Sequence, residues 1–465
     1  MIYHNFTIDT ENWRQYNFYF IGILGSGMSA LARFTRLSGA AVSGSDRNYT
    51  NFNKPETAVE LESIGCKIFM QNGSHLEKNI NFAVVSTAIE KENDDIKKAL
   101  ELNIPVIHRA DLLSYIVNKN FGIAVGGTSG KSTTTGIIGY LLRKSGLSCG
   151  IISGAGIKGI GDSGETLNCI SGDSGKIVIE CDESDGSIVK FSPEFSIITN
   201  ITKDHKTIDE LKILFQEFID NTKNTVFINN EDPILSTLNF NGKKIIRIGN
   251  SNSSDYRISD IELNKLSSSF KISGQDYKIN APGIYNVYNA AFAVAVASEL
   301  GIEYEKIKNA ILNFSGVSDR FDIFRRENPA VVFDYAHNPA KIDALLQHTV
   351  KFYSRILFVF QPHGYQPTFF LKDEFYRVFT RYFLEPEKKI MLKPIYYAGG
   401  TVEKKITSEQ MCSELNKLEV NATYADSDEF ILKYISNNKD MFDIIVIAGA
   451  RDRNLKNLCN SIAEI

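Results

Sequence analysis

The feature that most constrains the fold is a glycine-rich loop that follows a strongly apolar run. Residues 121–125 predict a buried strand, and residues 127–135 are Gly-Thr-Ser-Gly-Lys-Ser-Thr-Thr-Thr. Glycines let backbone N–H groups approach phosphate oxygens, and the helix expected to follow directs its positive N-terminus at them. Lys131 would reach the terminal phosphates, and the Ser132 hydroxyl would bind Mg²⁺. Val125 occupies the position of the first glycine in the full Walker pattern. The predicted ATP-binding residues are Gly127, Thr128, Ser129, Gly130, Lys131, Ser132 and Thr133.

The composition is that of an ordinary globular protein without a strong charge bias. With 465 residues, the chain is long enough for about three domains. A formal net charge of -4 provides no basic surface for nucleic acid, so small molecules are the expected partners. The six cysteines show no metal-binding spacing, which predicts reduced thiols in the cytoplasm. The first residues lack a signal-peptide pattern, and no apolar run approaches the ~20 residues of a membrane span, so no membrane partner is expected.

Strand-like apolar runs alternate with amphipathic helical stretches through most of the chain. This alternation is typical of α/β domains with parallel sheets. Changes along the chain separate three blocks, which predict domains at residues 1–120, 121–315 and 316–465. The second block contains the glycine-rich loop, which places the ATP site in the middle of the molecule.

The first block contains a second glycine-rich turn, at residues 22–32, between a predicted strand and a predicted helix. A turn of this kind can bind a diphosphate. Asp46 ends the next predicted strand, about where an acidic residue would bind ribose hydroxyls. The turn by itself fits either a dinucleotide such as NAD or glycines required only for close packing.

Two later strands end in polar residues suited to a metal site. The apolar run 176–179 is followed by an acidic cluster that begins with Glu180. Carboxylates at a strand end beside a phosphate loop are natural ligands of Mg²⁺, although a solvated acidic turn would look similar. The predicted strand at 195–201 precedes His205, and an isolated histidine in such a place is more often structural.

Taken together and in order, these segments resemble the Mur ligase family. The segments that carry the resemblance are Gly-x-x-Gly-x-Gly-Met-Ser-x-Leu-Ala at 22–32, Glu-x-Asp-Glu-Ser-Asp at 180–185, Thr-Asn-Ile-x-x-Asp-His at 199–205, Gly-x-x-Asn-x-x-Asn-Ala-Ala at 283–291 and Gly-Val-x-x-Arg-Phe at 316–321. The resemblance spans essentially the whole chain. It implies a Rossmann-like UDP-binding domain, a central P-loop ATPase domain with a mostly parallel sheet, and a Rossmann-like C-terminal closing domain.

The resemblance also implies a reaction, which is ATP-dependent ligation of a carboxylate to an amine through an acyl phosphate. It is nearest the branch that joins L-alanine to UDP-N-acetylmuramate in peptidoglycan synthesis. The implied cofactors are ATP and Mg²⁺, and the implied partners are a UDP-sugar and an amino acid or peptide, with a monomeric or homodimeric protein. The implied catalytic residues are Lys131, Glu180 and His205, and the implied metal ligands are Ser132, Glu180 and His205.

Further binding residues follow from the same resemblance. Nucleotide contacts are implied for Asn286, Asn289, Arg320, His337 and Asn338. Substrate contacts are implied for Gly25, Ser26, Gly27, Met28, Ser29, Asp46, Arg109, Glu183 and His363. Asparagines spaced by about one helical turn lie on one face, where their amides would suit the edges of adenine.

The chain departs from the family in the segment near the acceptor amine. Residues 360–368 resemble a family segment in which two arginines stand where this chain has Gly364 and Pro367. Loss of a bidentate carboxylate partner is not a conservative change. Arg451 could supply a relocated guanidinium, and Tyr285 replaces a customary histidine. These departures leave the acceptor open.

Several alternatives therefore stay open from the sequence alone. Within the family, the chain could add a recycled murein peptide or another acceptor. From a different class, it could be a nucleotide-binding regulatory protein that kept the fold and lost ligation, although Lys131, Ser132, Glu180 and His205 are all retained. An NAD-dependent oxidoreductase would account for the first block only.

Overall fold

The computed structural model describes residues 6–90, 92–161, 163–204, 206–397 and 404–465. Strands of each of the three predicted blocks form their own sheet, and helices flank all three sheets. The predicted α/β class, with three domains and mostly parallel sheets, is confirmed. The exact domain boundaries remain predictions, although β6 of the second sheet begins at Phe121, where the second block was expected to start.

The first sheet has five parallel strands in the order β3-β2-β1-β4-β5. Its strands are β1 (Asn17–Ile21), β2 (Ala41–Asp46), β3 (Lys67–Met70), β4 (Phe82–Val85) and β5 (Val106–His108). Its helices are α1 (Ser26–Leu37), α2 (Glu56–Ser63), α3 (Asp94–Glu101) and α4 (Arg109–Lys119). The strand order reverses direction between β1 and β4, and ligands bind at the carboxyl ends of strands at such a point. The turn after β1 lies there.

The second sheet has ten strands in the order β15-β14-β13-β12-β11-β10-β6-β9-β7-β8. Its strands are β6 (Phe121–Gly126), β7 (Gly150–Ile157), β8 (Leu167–Ile170), β9 (Lys176–Glu180), β10 (Phe195–Ile198), β11 (Thr225–Asn229), β12 (Lys244–Gly249), β13 (Tyr256–Leu263), β14 (Ser268–Ile272) and β15 (Gln275–Ile279). Its helices are α5 (Lys131–Lys144), α6 (Ile208–Asn221), α7 (Ile284–Glu299) and α8 (Tyr304–Leu312).

The arrangement of this sheet explains where the phosphate loop lies. Strand β6 pairs in parallel with β9 on one side and β10 on the other. Because parallel strands end at the same edge, the loop after β6 is flanked by the residues that follow β9 and β10. The edge strands β8 and β15, and β14 next to β15, are antiparallel to their neighbours. A capping box of Thr207 and Glu210 begins α6 and so fixes where the connection after β10 ends.

The third sheet has six strands in the order β16-β17-β21-β18-β19-β20, and only β16 is antiparallel. Its strands are β16 (Asp322–Arg325), β17 (Ala330–Asp334), β18 (Ile356–Gln361), β19 (Lys388–Leu392), β20 (Ala422–Tyr424) and β21 (Ile444–Gly449). Its helices are α9 (Pro339–Phe352), α10 (Tyr365–Phe370), α11 (Lys372–Tyr382), α12 (Ser408–Lys417), α13 (Asp428–Asn438) and α14 (Asn454–Glu464). Short 3-10 helices occupy Trp13–Gln15, Ser187–Lys190, Leu235–Thr237 and Lys439–Met441.

The apolar sequence runs become the central strands. Every residue of β10, β18 and β21 is buried, as expected for parallel strands covered on both faces. One apolar core is continuous from Phe18 of β1, through Phe34 of α1, to Ile177 of β9 and Phe215 of α6. The first two domains therefore share a core. The third domain has its own cores, centred on residues such as Phe358.

None of the helices in the described ranges is both long enough and apolar enough to cross a membrane.

Candidate active site

The phosphate loop has a backbone that only glycine adopts easily at two positions. Gly127 has φ of +128° and Gly130 has φ of +85°. A Cβ atom at Gly127 would overlap Oγ1 of Thr199, and one at Gly130 would lie 2.8 Å from Oδ1 of Asn289. Both glycines are therefore required by backbone conformation and by close packing. Helix α5 starts immediately afterwards, at Lys131.

Side chains from the end of β10 hold this loop in place. The Asn200 side-chain oxygen accepts hydrogen bonds from the Ser129 N–H at 3.0 Å and from the Thr128 hydroxyl at 2.8 Å. The Asn200 amide donates to the Ser129 carbonyl at 2.9 Å, and the Thr199 hydroxyl donates to the same carbonyl at 2.7 Å. The Thr-Asn pair thus fixes the loop, a role that the sequence analysis did not assign to Thr199 or Asn200.

Lys131 is held at the mouth of the loop by two oxygen atoms. Its ammonium donates to the Gly127 carbonyl at 2.7 Å and to Oε2 of Glu183 at 2.7 Å. The Glu183 side chain is only 4% exposed, so the pair lies inside the protein. Burial by itself would lower the pKa of Lys131, but Glu183, Asp182 and Glu180 together outweigh it and raise that pKa. Lys131 is therefore a stable cation positioned for a phosphate.

Ser132 and Glu180 meet beside the same loop. The Ser132 hydroxyl donates to Oε1 of Glu180 at 3.0 Å, and the Gly154 N–H donates to Oε2 at 2.8 Å. A hydroxyl and a carboxylate oxygen are the donors that Mg²⁺ prefers, and this ion is usually completed by phosphates and water. The two residues therefore fit a magnesium site. His205, the third predicted ligand, lies outside the described residues.

No group of three or more histidine, cysteine, aspartate or glutamate side chains in the described part of the chain is arranged to hold a metal by itself. This agrees with the chemistry of Mg²⁺, which is commonly bound through one or two carboxylates together with substrate phosphates.

Asn286 and Asn289 lie on α7 behind the loop, and both are buried. Oδ1 of Asn289 accepts from the Thr134 hydroxyl at 3.0 Å, and its amide donates to Oδ1 of Asn286 at 3.3 Å. The Asn286 amide donates to the Pro282 carbonyl at 2.7 Å. These amides are thus engaged within the protein, and their contact with adenine stays a prediction.

Arg320 lies in the linker that enters the third domain, with its guanidinium 4.9 Å from the centre of the Tyr335 ring. Asp334, at the end of β17, accepts from the N–H groups of Phe321 at 2.9 Å and Ala336 at 2.8 Å. Burial raises the pKa of Asp334. This carboxyl group thus holds the backbone immediately after Arg320 and immediately after Tyr335.

His337 and Asn338 follow β17, and their side chains have different hydrogen-bond partners. Nδ1 of His337 lies 2.9 Å from the Tyr335 carbonyl oxygen. The Asn338 side chain caps α9 by accepting from the Lys341 N–H at 2.9 Å, and its amide donates to Oδ2 of Asp204 at 2.6 Å. Asn338 therefore joins the third domain to the loop after β10, and nucleotide contacts of both residues remain predictions.

The turn after β1 and Arg109 come together, as the sequence analysis expected. Gly25 and Ser26 are exposed at the start of α1. A Cβ atom at Gly27 would lie 3.1 Å from Nη1 of Arg109, so the guanidinium covers the turn. Nη2 of Arg109 also lies 3.6 Å from Oδ2 of Asp185 in the middle domain. A cation and exposed backbone thus converge at the sheet edge expected for a diphosphate.

The other predicted residues of the first domain support the turn from inside. Oδ2 of the buried Asp46 accepts from the Leu24 N–H at 3.0 Å, and Oδ1 accepts from the Asn48 N–H at 2.9 Å. Met28 and Ser29 are buried in α1. Asp46 therefore fixes the turn, and its contact with a ribose remains a prediction.

The segment near the predicted acceptor site has a conformation of its own. His363 follows β18 and stacks on Tyr396 with ring centres 5.8 Å apart. Gly364 has φ of +75°, and a Cβ atom there would lie 3.1 Å from Cδ of Pro367. Arg451, considered as a relocated guanidinium, is exposed after β21 with φ of +66°. The glycine that replaces an arginine thus begins α10 in a left-handed conformation.

At the junction with the third domain, the structure adds five further residues to which sequence reasoning assigned no role. The Lys203 ammonium donates to Oε1 of Glu374 at 2.8 Å and lies 4.2 Å from the centre of the Phe370 ring. Nζ of Lys341 lies 3.6 Å from Oδ2 of Asp204. Each pair joins residues far apart in the chain, so no local pattern could have revealed them.

Comparison with known proteins gives a consistent family assignment. The family models described as Mur ligase family, catalytic domain, as Mur ligase middle domain, and as Mur ligase, glutamate ligase domain match residues 17–120, 125–297 and 319–451 respectively. The chain is 33% identical to the UDP-N-acetylmuramate–L-alanine ligase of Carboxydothermus hydrogenoformans, covering 98% of both chains.

Solved structures agree. The UDP-N-acetylmuramate-alanine ligase of Thermotoga maritima superposes with a TM-score of 0.76 at 25% identity, over 96% of this chain and 98% of that one. A murein peptide ligase of Psychrobacter arcticus shares the fold, with a TM-score of 0.70 at 22% identity over 97% and 99% of the two chains. With three matching domains in order and a relative that is similar along its full length, the chain belongs to the Mur ligase family.

Proposed function

We propose that this protein joins L-alanine to UDP-N-acetylmuramate in an ATP-dependent reaction, as a step of peptidoglycan precursor synthesis. The observation that carries the proposal is the 33% identity over 98% of both chains to a UDP-N-acetylmuramate–L-alanine ligase. The pairing of Lys131 with Glu183 and of Ser132 with Glu180 at one sheet edge supports it.

The reaction has two steps. A carboxylate oxygen of the sugar attacks the terminal phosphorus of ATP, the bond to the bridging oxygen breaks, and ADP leaves. The amine of L-alanine then attacks the acyl carbon, phosphate leaves, and the amine loses a proton. Most of the work in phosphoryl transfer is positioning and charge stabilisation.

Residues of the middle and third domains provide this positioning and charge stabilisation. Lys131 binds the terminal phosphates, and Thr199 and Asn200 keep the loop rigid around them. Ser132, Glu180 and His205 would hold Mg²⁺, and the ion would supply further positive charge near the transferring phosphoryl group. Gly127, Thr128, Ser129, Gly130 and Thr133 complete the phosphate site. Asn286, Asn289, Arg320, His337 and Asn338 line the remainder of the nucleotide site.

The first domain binds the other nucleotide. The turn made of Gly25, Ser26, Gly27, Met28 and Ser29 receives the UDP diphosphate, with Arg109 above it and Asp46 on the ribose side. Glu183 and His363 face the acyl and acceptor ends of the substrates. The third domain closes over the cleft and excludes water that would hydrolyse the acyl phosphate.

The same proposal covers the organisation of the protein. It has domains at 1–120, 121–315 and 316–465, acts in the cytoplasm, and works as a monomer or homodimer without a nucleic-acid or membrane partner. All six cysteines are free and buried, which agrees with a reducing compartment.

A second candidate is ligation of a murein peptide to the same sugar. The observation that favours it is Gly364 together with Pro367, because the acceptor segment lacks two cations that a single amino acid carboxylate would use. The two candidates share every residue of the ATP site and differ only at the acceptor.

The test is phosphate release from ATP and Mg²⁺ with UDP-N-acetylmuramate, across a panel of L-amino acids and the murein tripeptide. We expect release that depends on L-alanine. Dependence on the tripeptide would support the second candidate, and no release with any acceptor would contradict both. Lys131→Ala should lower turnover by more than about 100-fold, since it removes the cation that meets the developing charge. Circular dichroism would show that the variant is folded.

A further inference from the structure

A lysine of the third domain lies close enough to Lys131, beside the phosphate loop, for the two charges to interact. Lys341 lies in the first turn of α9, where Asn338 caps the helix through the Lys341 N–H. Its ammonium lies 3.6 Å from Oδ2 of Asp204, the oxygen that also accepts from the Asn338 amide. The third domain therefore touches the loop after β10 with two side chains on one carboxylate.

This contact lies close to the phosphate loop. Thr202, two residues before Asp204, has its hydroxyl 2.8 Å from the Thr128 hydroxyl and its N–H bonded to the same oxygen at 2.9 Å. The loop after β10 is therefore bonded to the phosphate loop on one side and to the third domain on the other. Lys341 contacts this connection at Asp204.

The surroundings of Lys341 are unfavourable for a lysine that is merely structural. The pKa of Lys341 is lowered to about 8, chiefly by burial; the charges of Lys131 and Arg320 act in the same direction, while Asp204 and Glu183 oppose them. Three cations close together repel one another, and an anion that binds among them offsets this repulsion. Lys131 and Arg320 are the two cations already assigned to ATP phosphates.

The Asp204 contact also leaves the Lys341 ammonium available. Its distance of 3.6 Å is longer than the ~2.8 Å of a charge-assisted hydrogen bond. Among the described residues, Asp204 is the one carboxylate within ion-pair distance of Lys341. The Lys341 side chain is 24% exposed, so a small anion can reach it.

We propose that Lys341 is a further phosphate-binding residue, whose ammonium donates to a non-bridging oxygen of the phosphoryl group that ATP transfers. Asn338 and Asp204 are positioning residues that set the place of Lys341. This inference rests on the proposed function. In the transfer, the substrate carboxylate forms a bond to phosphorus while the bond to the bridging oxygen of ADP breaks, and Lys341 keeps its proton throughout.

A consequence is that the phosphate site is complete only when the third domain is in contact with the loop after β10. Lys131 belongs to the middle domain, whereas Lys341 arrives with α9. Phosphoryl transfer would then be coupled to closure by a direct contact with the transferring group.

The first experiment compares Lys341→Met with Lys351→Met, which removes the same charge from the last turn of the same helix. Binding of a non-hydrolysable ATP analogue and of ADP would be measured by calorimetry with Mg²⁺ present. We expect Lys341→Met to weaken the analogue by about ten-fold or more and ADP by much less, since the lost contact is to the terminal phosphate. Lys351→Met should match the unaltered protein. Equal analogue affinity in all three proteins would overturn the proposal.

A second measurement uses the unaltered protein, so that it does not depend on how a variant folds. Lysines would be labelled with an amine reagent and quantified by peptide mass spectrometry. We expect the ATP analogue to slow labelling of Lys341 at least five-fold, ADP to slow it less, and neither to affect Lys351. Equal labelling with and without analogue would overturn the proposal. Both measurements need only nucleotide, so they decide the role of Lys341 even if no acceptor is ligated and the proposed function fails.

Discussion

The two junctions between domains are stabilised by different kinds of contact. The first and middle domains share one apolar core, which runs from Phe18 and Phe34 to Ile177 and Phe215. The middle and third domains meet mainly through polar contacts, with Leu266 packing at the edge of the third domain's core. Those polar contacts include Lys158 with Asp322 at 2.5 Å, Lys203 with Glu374 at 2.8 Å, and Asp204 with Asn338 and Lys341.

The difference has a simple energetic meaning. Separating a shared apolar core exposes its surface at a cost of roughly 25 cal/mol for each Å². Exposed ion pairs exchange protein partners for water at a cost that is commonly below about 1 kcal/mol each. The first and middle domains therefore form one frame that carries the turn after β1 and the phosphate loop. The third domain is the part that we expect to open and close.

The largest expected effect tests the shared core. Phe34→Ala removes a buried ring whose edge lies against Gly150 of the middle domain. A cavity of this kind costs about 3–5 kcal/mol, and we expect the first and middle domains to unfold together at a lower midpoint. Calorimetry and urea titration would measure it.

The control for that experiment is Phe430→Ala on the third domain, where the ring is 41% exposed, with an expected change within about 0.5 kcal/mol. If Phe34→Ala unfolded the first domain alone and left the middle domain at its original midpoint, the two domains would not be one frame.

The next effect concerns the polar junction and pH. Because the pKa of Lys341 is lowered to about 8, its ammonium is charged below that pH and loses its proton above it. The value of kcat/KM for ATP reports the free protein, so it should fall about ten-fold for each unit above pH 8. Lys341→Arg should move this alkaline limb upward, because a guanidinium stays protonated. An unchanged limb in Lys341→Arg would assign it to another group.

The smallest effect is expected for a single ion pair of the polar junction. Lys203 and Glu374 are 37% and 27% exposed, so Lys203→Met should lower the free energy of unfolding by less than about 1 kcal/mol. It should nevertheless favour the open arrangement and speed proteolytic cleavage in the linker near residue 316. High salt should act in the same direction on the unaltered protein.

Lys97→Met is the matched control for Lys203→Met, because Lys97 pairs with Asp94 on the surface of the first domain. It should leave linker cleavage unchanged. Similar cleavage rates in all three proteins would mean that the ion pair at the junction does not hold the third domain closed.

The sequence was sufficient where function depends on short segments that fold locally. The run 121–125 and the glycines after it dictate a strand, a tight loop and a helix start, so Lys131 and Ser132 could be placed without coordinates. Glu180 could be placed because it ends a strand beside that loop. The turn after β1 and Arg109 also came together as expected.

Other parts of the site depend on distant partners that no local pattern contains. The amides of Asn286 and Asn289 looked available for adenine, yet both are bonded within the protein. Asp46 looked like a ribose ligand, and the structure shows its carboxylate fixing the backbone of the turn. The contact of Asp204 with Lys341 forms only when two separate domains meet, so it follows from tertiary structure alone.

The positive φ of Gly364 constrains redesign of the acceptor site. A residue with a Cβ atom costs on the order of 1–3 kcal/mol in such a sparsely populated backbone region, and here it would also crowd the ring of Pro367. Replacing Gly364 with arginine would therefore destabilise the folded protein, whatever contact the new side chain made with substrate. Introducing cations at both positions would therefore need residues 364 and 367 to change together, so the glycine and proline disfavour stepwise redesign of the acceptor site.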